Sequence, residues 1–160
     1  MAGDVDLSNN YRTSGPVASF TIVKFGAKTK GDVGDQYVPT VARAGSGADA
    51  LIGITAKIPP RAMRTVRVDG GPETLEPIPG QRPRVDVIHA GLASVILGGA
   101  VVNGDFITSD ATGRGVRAVA GDRFIAIALE DGAAAGAGIE VLVQIGQLAA
   151  VAPAPARAAK

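Results

Sequence analysis

The sequence predicts a mainly β protein: a single small β-sandwich or barrel, jelly-roll-like, with an extended N-terminal arm and minor helix. Apolar and polar residues alternate with a period of two in several runs, which is typical of half-buried strands. Gly-Asp and Asp-Gly pairs, which suit tight turns, separate these runs at short intervals. No segment carries three turns of helical periodicity, and only PPRAM (59–63) is a candidate for a short helix, with proline in its first turn.

Composition limits the protein to one compact domain and excludes several functions. The 160 residues suffice for a single core, and 16 Lys and Arg oppose 15 Asp and Glu, for a net charge of +1. This balance argues against a nucleic-acid partner. The chain has no Cys and a single His, which excludes disulfides, a thiol nucleophile and a multi-histidine metal centre.

The termini and the apolar runs indicate where the protein is made. No window approaches the roughly 20 apolar residues of a membrane span. The start of the chain lacks the basic-then-apolar pattern of a secretory signal. We therefore expect synthesis in the cytoplasm and no membrane partner.

The chain divides into three predicted regions. Residues 1–18 are largely polar and lack periodicity, so we expect an extended N-terminal arm. Residues 19–146 form the β-rich domain. Residues 147–160 are rich in Ala and Pro, and Pro153 and Pro155 prevent a continuous helix, which predicts a flexible tail.

Nine runs between the turn signals are predicted strands. In chain order they are SFTIVKF (19–25), QYVPTV (36–41), ALIGIT (50–55), TVRVD (65–69), RVDVIHA (84–90), ASVIL (93–97), DFITS (105–109), RFIAIALE (123–130) and IEVLVQI (139–145). The run 123–130 is nearly all apolar, which fits a strand buried on both faces or a short buried helix, and its β-branched Ile125 and Ile127 favour the strand. The run 139–145 alternates strictly, which directs Ile139, Val141, Val143 and Ile145 to the core.

The remaining segments are predicted turns and connections. Residues 70–83 hold four prolines and are expected to form a long connection without a strand. GRGVRAVAG (113–121) is predicted to be a hairpin turn. GAAAGAG (132–138) contains too many glycines for a helix and is expected to be a loop or a single turn.

The two halves of the domain resemble each other weakly. GDVGDQYVPTVARAGSGAD leads into ALIGIT, and NGDFITSDATGRGVRAVAGD leads into RFIAIALE. Both segments follow the order of Gly-Asp turn, aromatic-led strand, Gly-rich turn and apolar strand. This order fits two similar hairpin units packed together.

No combination of residues predicts an enzyme. Ser94 and Ser109 lie outside any G-x-S-x-G nucleophile elbow, and His89 is the only candidate base. Because His89 stands in a strand-like run, we interpret it as a partly buried strand residue with a backbone partner.

Three aspartates are the best candidates for metal ligands. Asp105, Asp110 and Asp122 could offer oxygens to Ca²⁺, but the 12-residue loop with its terminal Glu is absent. We interpret them as turn residues. The sequence therefore predicts no metal and no cofactor.

The segment RVDVIHAGLASVILGGAVVNGDFITSDATGRGVRAVAGDRFIAIALEDGAAAGAGIEVLVQIG resembles the small capsid decoration (cement, head-stabilising) proteins of tailed bacteriophages. The shared motifs are a strand and turn like VIHAGLASV, a Gly-Asp turn like GGAVVNGD, a polar hairpin like ITSDATGRGVRA, and strands like FIAIALE and IEVLVQIG. The resemblance covers about residues 19–146 and is strongest from residue 84 onward.

The resemblance implies a non-enzymatic structural protein of the virion that binds the outer capsid surface and stabilises the lattice of major capsid protein. It also implies self-association, with a homotrimer favoured and a homodimer possible. We expect the arm to add a strand to a capsid sheet, with Asn9, Asn10, Tyr11 and Arg12 as contact residues and Tyr11 as the anchor.

A second interpretation is the base of a head fibre, or a virion module that recognises host surface glycans. Glycan sites usually need exposed aromatic rings. The absence of Trp and the presence of only two Tyr make that part of the alternative weaker.

Overall fold

The computed structural model of the chain describes residues 7–15, 17–27, 29–30, 37–38, 40–57, 63–66, 74–77 and 84–150, with side chains for 8–15, 17–27, 40–57 and 84–150. The described residues form strands, turns and loops without a helix, which confirms the predicted mainly β class. The strands are β1 Leu7–Thr13, β2 Ile22–Phe25, β3 Thr29–Lys30, β4 Tyr37–Val38, β5 Thr40–Arg43, β6 Leu51–Thr55, β7 Met63–Val66, β8 Thr74–Pro77, β9 Arg84–Ile96, β10 Phe106–Ser109, β11 Gly115–Arg117, β12 Arg123–Ala128 and β13 Gly138–Gln147.

Five strands close into a small barrel. Their order is β1-β5-β2-β6-β9, and β9 pairs again with β1 to complete the circle. The β1–β5 pair is parallel, whereas the other four pairs are antiparallel, so the barrel is mixed. Closure leaves this part of the sheet without a free edge.

The segment that we expected to be a free arm supplies β1. Six residues of β1 pair with β9, and Arg12 and Thr13 pair with β5. Within the segment, residues 7–13 are extended as this strand. The strand, however, forms its ladders within its own chain, because the gap between β5 and β9 offers two open edges at once.

Strand β9 connects the barrel to a second sheet. RVDVIHA and ASVIL, predicted as two strands, are parts of this single 13-residue strand. Its first half pairs with β1 and β6, and its second half, from Gly91 onward, pairs with β13. Gly91 has a φ of 99°, which allows the strand to bend between its two sets of partners.

The second sheet continues in the order β9-β13-β12-β10-β11. Its last strand returns to the end of β9 through a single parallel bridge between Leu97 and Gly115. The sheet therefore curls almost to closure without an additional strand.

Two sets of four strands have the same topology. The first unit, β2, β5, β6 and β9, has the order β5-β2-β6-β9; the second unit, β10 to β13, has the order β11-β10-β12-β13. All these pairs are antiparallel. The weak internal resemblance of the sequence agrees with this repeat only in part: it matched the strand before residue 42 to β10, whereas the structure makes β5 equivalent to β11, and the two agree at β6 and β12.

The registers repeat as well. Val23 lies between Arg43 and Gly53 in the first unit, and Ile107 lies between Arg117 and Ala126 in the second. One row of apolar residues crosses three strands of each unit at matching positions. The covered row is Ile22–Ile54–Ile88 in the first unit, and the open row is Phe106–Ile127–Leu142 in the second.

Two apolar clusters stabilise this arrangement. The smaller one fills the barrel and consists of Val17, Val23, Val41, Ile52, Val85 and Val87, with Tyr11 packed against it. The larger one lies between the two units and includes Ile22 and Ile54 from the first unit and Ile125 and Val141 from the second. Strands β2 and β6 contribute to both clusters, so both of their faces are buried.

Three details differ from the sequence predictions. Residues 74–77, predicted to lie in a strandless connection, form β8 and pair with β7; Pro77 is tolerated because it stands at the end of a two-stranded hairpin. Residues 115–117, within the predicted turn, form β11. The candidate helix at 59–63 lies outside the described residues except for Met63, which begins β7.

Within residues 7–150, wherever the structure describes the chain, no helix has the length and apolarity needed to cross a bilayer.

Candidate docking surfaces

A groove opens at the mouth of the barrel, where β9 and β13 separate. Their last paired residues are Gly91 and Val143. Beyond this point β9 belongs to the barrel, whereas β13 stays with β12 and contains a β-bulge: Ala126 pairs with Val143, but Phe124 pairs with Gly146. A bulge bends its strand, and the two strands diverge into a wedge.

This mouth groove has a volume of about 480 Å³ and a largely apolar lining. Its lining residues are Ser8, Asn9, Tyr11, Phe25, Leu51, Ile52, His89 and Ile145. The Tyr11 ring meets the His89 ring edge-on at 5.6 Å and the Phe25 ring at 6.4 Å. Barrel mouths are common positions for binding sites.

Two large apolar side chains at this groove remain uncovered. Phe25 is 56% exposed and Ile145 is 48% exposed. The alternation of residues 139–145 predicted a buried Ile145. That prediction is wrong, because the bulge in β13 changes the phase of the strand after Val143.

His89 has the backbone partner that the sequence predicted. Its Nδ1 lies 2.6 Å from the carbonyl oxygen of Ile52, at the point where β6 and β9 move apart. Because a carbonyl oxygen only accepts, Nδ1 is the donor in this bond. The other ring nitrogen, Nε2, is buried without a hydrogen-bond partner within the described residues.

The four predicted contact residues lie side by side on β1 but in different surroundings. Asn9 and Tyr11 line the mouth groove. Asn10 is exposed, and its Nδ2 donates to Asp86 Oδ1 at 2.9 Å. Arg12 is 8% exposed, so its side chain belongs to the interior of the isolated chain.

The open row forms a second candidate surface on the outer face of the second sheet. Phe106 is 38% exposed and Leu142 is 37% exposed, with Ile127 directly between them. Leu129, two residues after Ile127 and therefore on the same face, is 39% exposed. The opposite face of β13 is buried, so this sheet carries apolar residues on both sides.

The sequence contained a signal for this surface that the pattern analysis missed. Leu142 occupies the phase of β13 that otherwise holds Glu140 and Gln144. A single leucine at a solvent-facing strand position is common and does not by itself indicate an interaction surface. Its neighbours on β12 and β10 become visible only through the register.

Carboxylates organise the turns of both units. Asp105 and Asp122 each accept the N–H of the residue three positions earlier, at 3.0 and 2.9 Å. Each also donates its own N–H back to that residue's carbonyl. The intervening Gly104 and Gly121 have φ values near +90°, as a type II turn requires.

Asp110 organises the β10–β11 hairpin in a related way. Its Oδ1 accepts from the N–H and hydroxyl of Thr112 and from the N–H of Arg114. Burial alone raises the pKa of Asp110, but these hydrogen bonds and the charge of Arg114 outweigh burial and hold the pKa below its ordinary value. The turn interpretation of the three aspartates is confirmed.

Asp49 plays the corresponding part in the first unit and has a cation beside it. Its Oδ2 accepts from the N–H groups of Gly45 and Ser46, and Lys24 Nζ lies 2.9 Å from Oδ1. The hydrogen bond from Gly45, followed by that from Lys24, lowers the pKa of Asp49.

The candidate nucleophiles and metal ligands do not form a reactive cluster. Ser109 is 4% exposed, and its hydroxyl donates to the carbonyl oxygen of Asp110 at 3.0 Å. Among the residues with described side chains, no three His, Asp or Glu residues come together as a metal site would require.

Comparisons with known proteins concern the fold. The sequence matches no protein-family model and no curated protein. The structure is similar to the N base of the head fiber protein gp8.5 of bacteriophage phi29, with a TM-score of 0.56 and 15% identity. The similarity covers 88% of this chain and 95% of that chain, so it includes both units.

Proposed function

We propose that the protein is a structural component of a tailed-phage virion that decorates the outer surface of the head and binds the major capsid protein. The observation that carries this proposal is the similarity to the phi29 head fiber N base along nearly the whole of both chains. The resemblance of residues 19–146 to phage decoration proteins supports the same role from the sequence.

The mouth groove is the surface that we assign to the capsid. Two of the four predicted contact residues, Asn9 and Tyr11, line it, and Phe25 and Ile145 leave apolar area uncovered beside them. The partner that fits is an extended capsid segment with apolar side chains. Repetition of this contact over the lattice turns modest affinity into stable decoration.

Co-sedimentation with expanded, undecorated phage capsids tests this function. Saturation at a fixed ratio to the major capsid subunits, with a higher melting temperature of the shell, is the expected result. Phe25→Ser is expected to weaken binding at least about tenfold, because it removes an exposed apolar contact. Val119→Ser, which changes a 65% exposed side chain in a turn, is the matched control. Absence of binding to every capsid tested refutes the function.

The base of a head fibre is a second candidate, and the comparison with gp8.5 favours it directly. Electron cryo-microscopy of decorated heads separates the two roles. A compact density that joins neighbouring capsid subunits indicates decoration, whereas a density that ends in a projecting fibre indicates a base. A glycan array tests the related recognition role.

A further inference from the structure

The two apolar rows occupy equivalent positions, but their surroundings differ. In the covered row Ile22 and Ile54 are completely buried. What covers them is the inner face of the second unit, to which Val95, Ile125 and Val141 contribute. The fold therefore contains one example of what this row binds: the aliphatic face of a β-sheet.

The open row lacks such a cover. Phe106 and Leu142 remain 38% and 37% exposed, and Leu129 extends the apolar area along β12 at 39%. Phe106 also contacts the Phe124 ring at 4.6 Å, so the row has a well-packed base. Contiguous apolar area on a sheet face is characteristic of interaction surfaces.

We infer that the open row binds the open row of a second copy of this chain. Among the residues with described side chains, it is the sheet face on which several large apolar residues remain uncovered, so a second copy supplies an aliphatic sheet face of the required kind. A contact of one surface with itself is isologous and closes at two copies. This inference concerns a different surface from the mouth groove and does not depend on capsid binding.

The charges near the row permit this contact. Glu140 shares the face with Leu142 and stands opposite Ser94. Lys57 and Glu140 both line a shallow groove of about 230 Å³ that also includes Leu92, which pairs with Leu142. Glu130, whose Oε1 accepts the N–H of Glu140 at 2.7 Å, adds a second acidic group, so two acidic groups and one basic group border the row at this end, and Lys57 offsets part of the acidic charge.

Sedimentation equilibrium of the full chain over a wide concentration range tests the inference. We expect a monomer–dimer equilibrium. Leu142→Ser and Leu129→Ser are each expected to raise the dimer dissociation constant at least about tenfold, because each removes an exposed apolar side chain from the interface. Val119→Ser is the control and is expected to leave the constant unchanged. Circular dichroism and urea unfolding of dilute samples show whether each variant keeps the monomer fold.

Any of three other results would contradict the inference. A wild-type chain that stays monomeric at high concentration shows that the row does not self-associate. An oligomer that both row variants leave intact uses another surface. A trimer that depends on the row requires a contact between two different surfaces and contradicts the isologous arrangement. Since none of these measurements involves capsids, failure here leaves the proposed function standing, and failure of capsid binding leaves this inference standing.

Discussion

The first and second units have the same strand order and register but are completed differently. Strand β1 closes the first unit, and its interior holds a small cluster of its own. The second unit has no closing strand, and a single bridge between Leu97 and Gly115 connects its two ends. The outer face of the first unit packs against it and completes its apolar interior. A repeated ladder therefore yields one closed barrel and one sheet that relies on its neighbour.

This difference determines the role of each apolar row. The second unit buries Ile22 and Ile54 of the first unit's row, whereas Ile88 at the end of the row is only partly buried. The second unit carries the equivalent row on the outside, where no third unit follows within the described chain. Identical positions in a ladder thus serve as core in one copy and as candidate interface in the other, because burial depends on what packs against the face.

The largest expected effect comes from shortening one matched residue in each row. Ile54→Ala is expected to lower the free energy of unfolding by about 4 kcal/mol, since it opens a cavity in a fully buried region. Ile127→Ala, at the equivalent place in the open row, is expected to cost about 1 kcal/mol. Urea unfolding of dilute monomer measures both. Equal losses would show that the two rows are equally buried.

A smaller loss in the free energy of unfolding is expected from a substitution at Gly53, where β6 and β9 approach each other. A Cβ on Gly53 would lie 2.5 Å from the carbonyl oxygen of Ile88 and would also collide with Val87. The matching position of the second unit holds Ala126. Gly53→Ala is therefore expected to destabilise the barrel by about 3 kcal/mol, although it only copies the residue of the other unit.

Gly99→Ala is the control for this substitution. Its added Cβ would meet Val116 at 4.0 Å, an ordinary contact, and the free energy of unfolding is expected to change by less than about 0.5 kcal/mol. Thermal and urea unfolding compare the two variants. If Gly53→Ala left the free energy of unfolding unchanged, β6 and β9 would be able to move apart without a loss of stability.

The smallest effect is expected from Asp49, the turn carboxylate of the first unit that forms an ion pair with Lys24. The pKa of Asp49 lies below its ordinary value of 3.8, so its ionised form stabilises the fold. This contribution is complete above the unfolded-state pKa and is lost as the pH falls through the folded-state pKa. The stability difference between wild type and Asp49→Asn should therefore be constant above about pH 5 and shrink below about pH 4.

Lys24→Gln separates the two causes of this pKa shift. It removes the cation but leaves the hydrogen bonds from Gly45 and Ser46 in place. We expect its acid dependence to lie between those of wild type and Asp49→Asn. A wild type and an Asp49→Asn variant that lose stability in parallel on acidification would contradict the role assigned to this carboxylate.

The sequence by itself determined the class of fold and most of its strands. Alternation in residues 139–145 and the apolar run at 123–130 identified β13 and β12, because side chains in a strand alternate between two faces. The Gly-Asp pairs at 104–105 and 121–122 identified two of the turns, because Gly adopts a positive φ and the Asp carboxylate accepts a free backbone N–H. The same reasoning identified His89 as a strand residue with a backbone partner.

Only the tertiary structure decided how strands pair and which faces are covered. Residues 7–13 carry no apolar periodicity, yet they close the barrel, because two distant strand edges become available together. The bulge in β13 exposes Ile145 against its alternation. Register brings Phe106, Ile127 and Leu142 into one row, although more than 30 residues separate the first from the last. Local patterns record which side a residue faces, whereas long-range pairing determines what lies on that side.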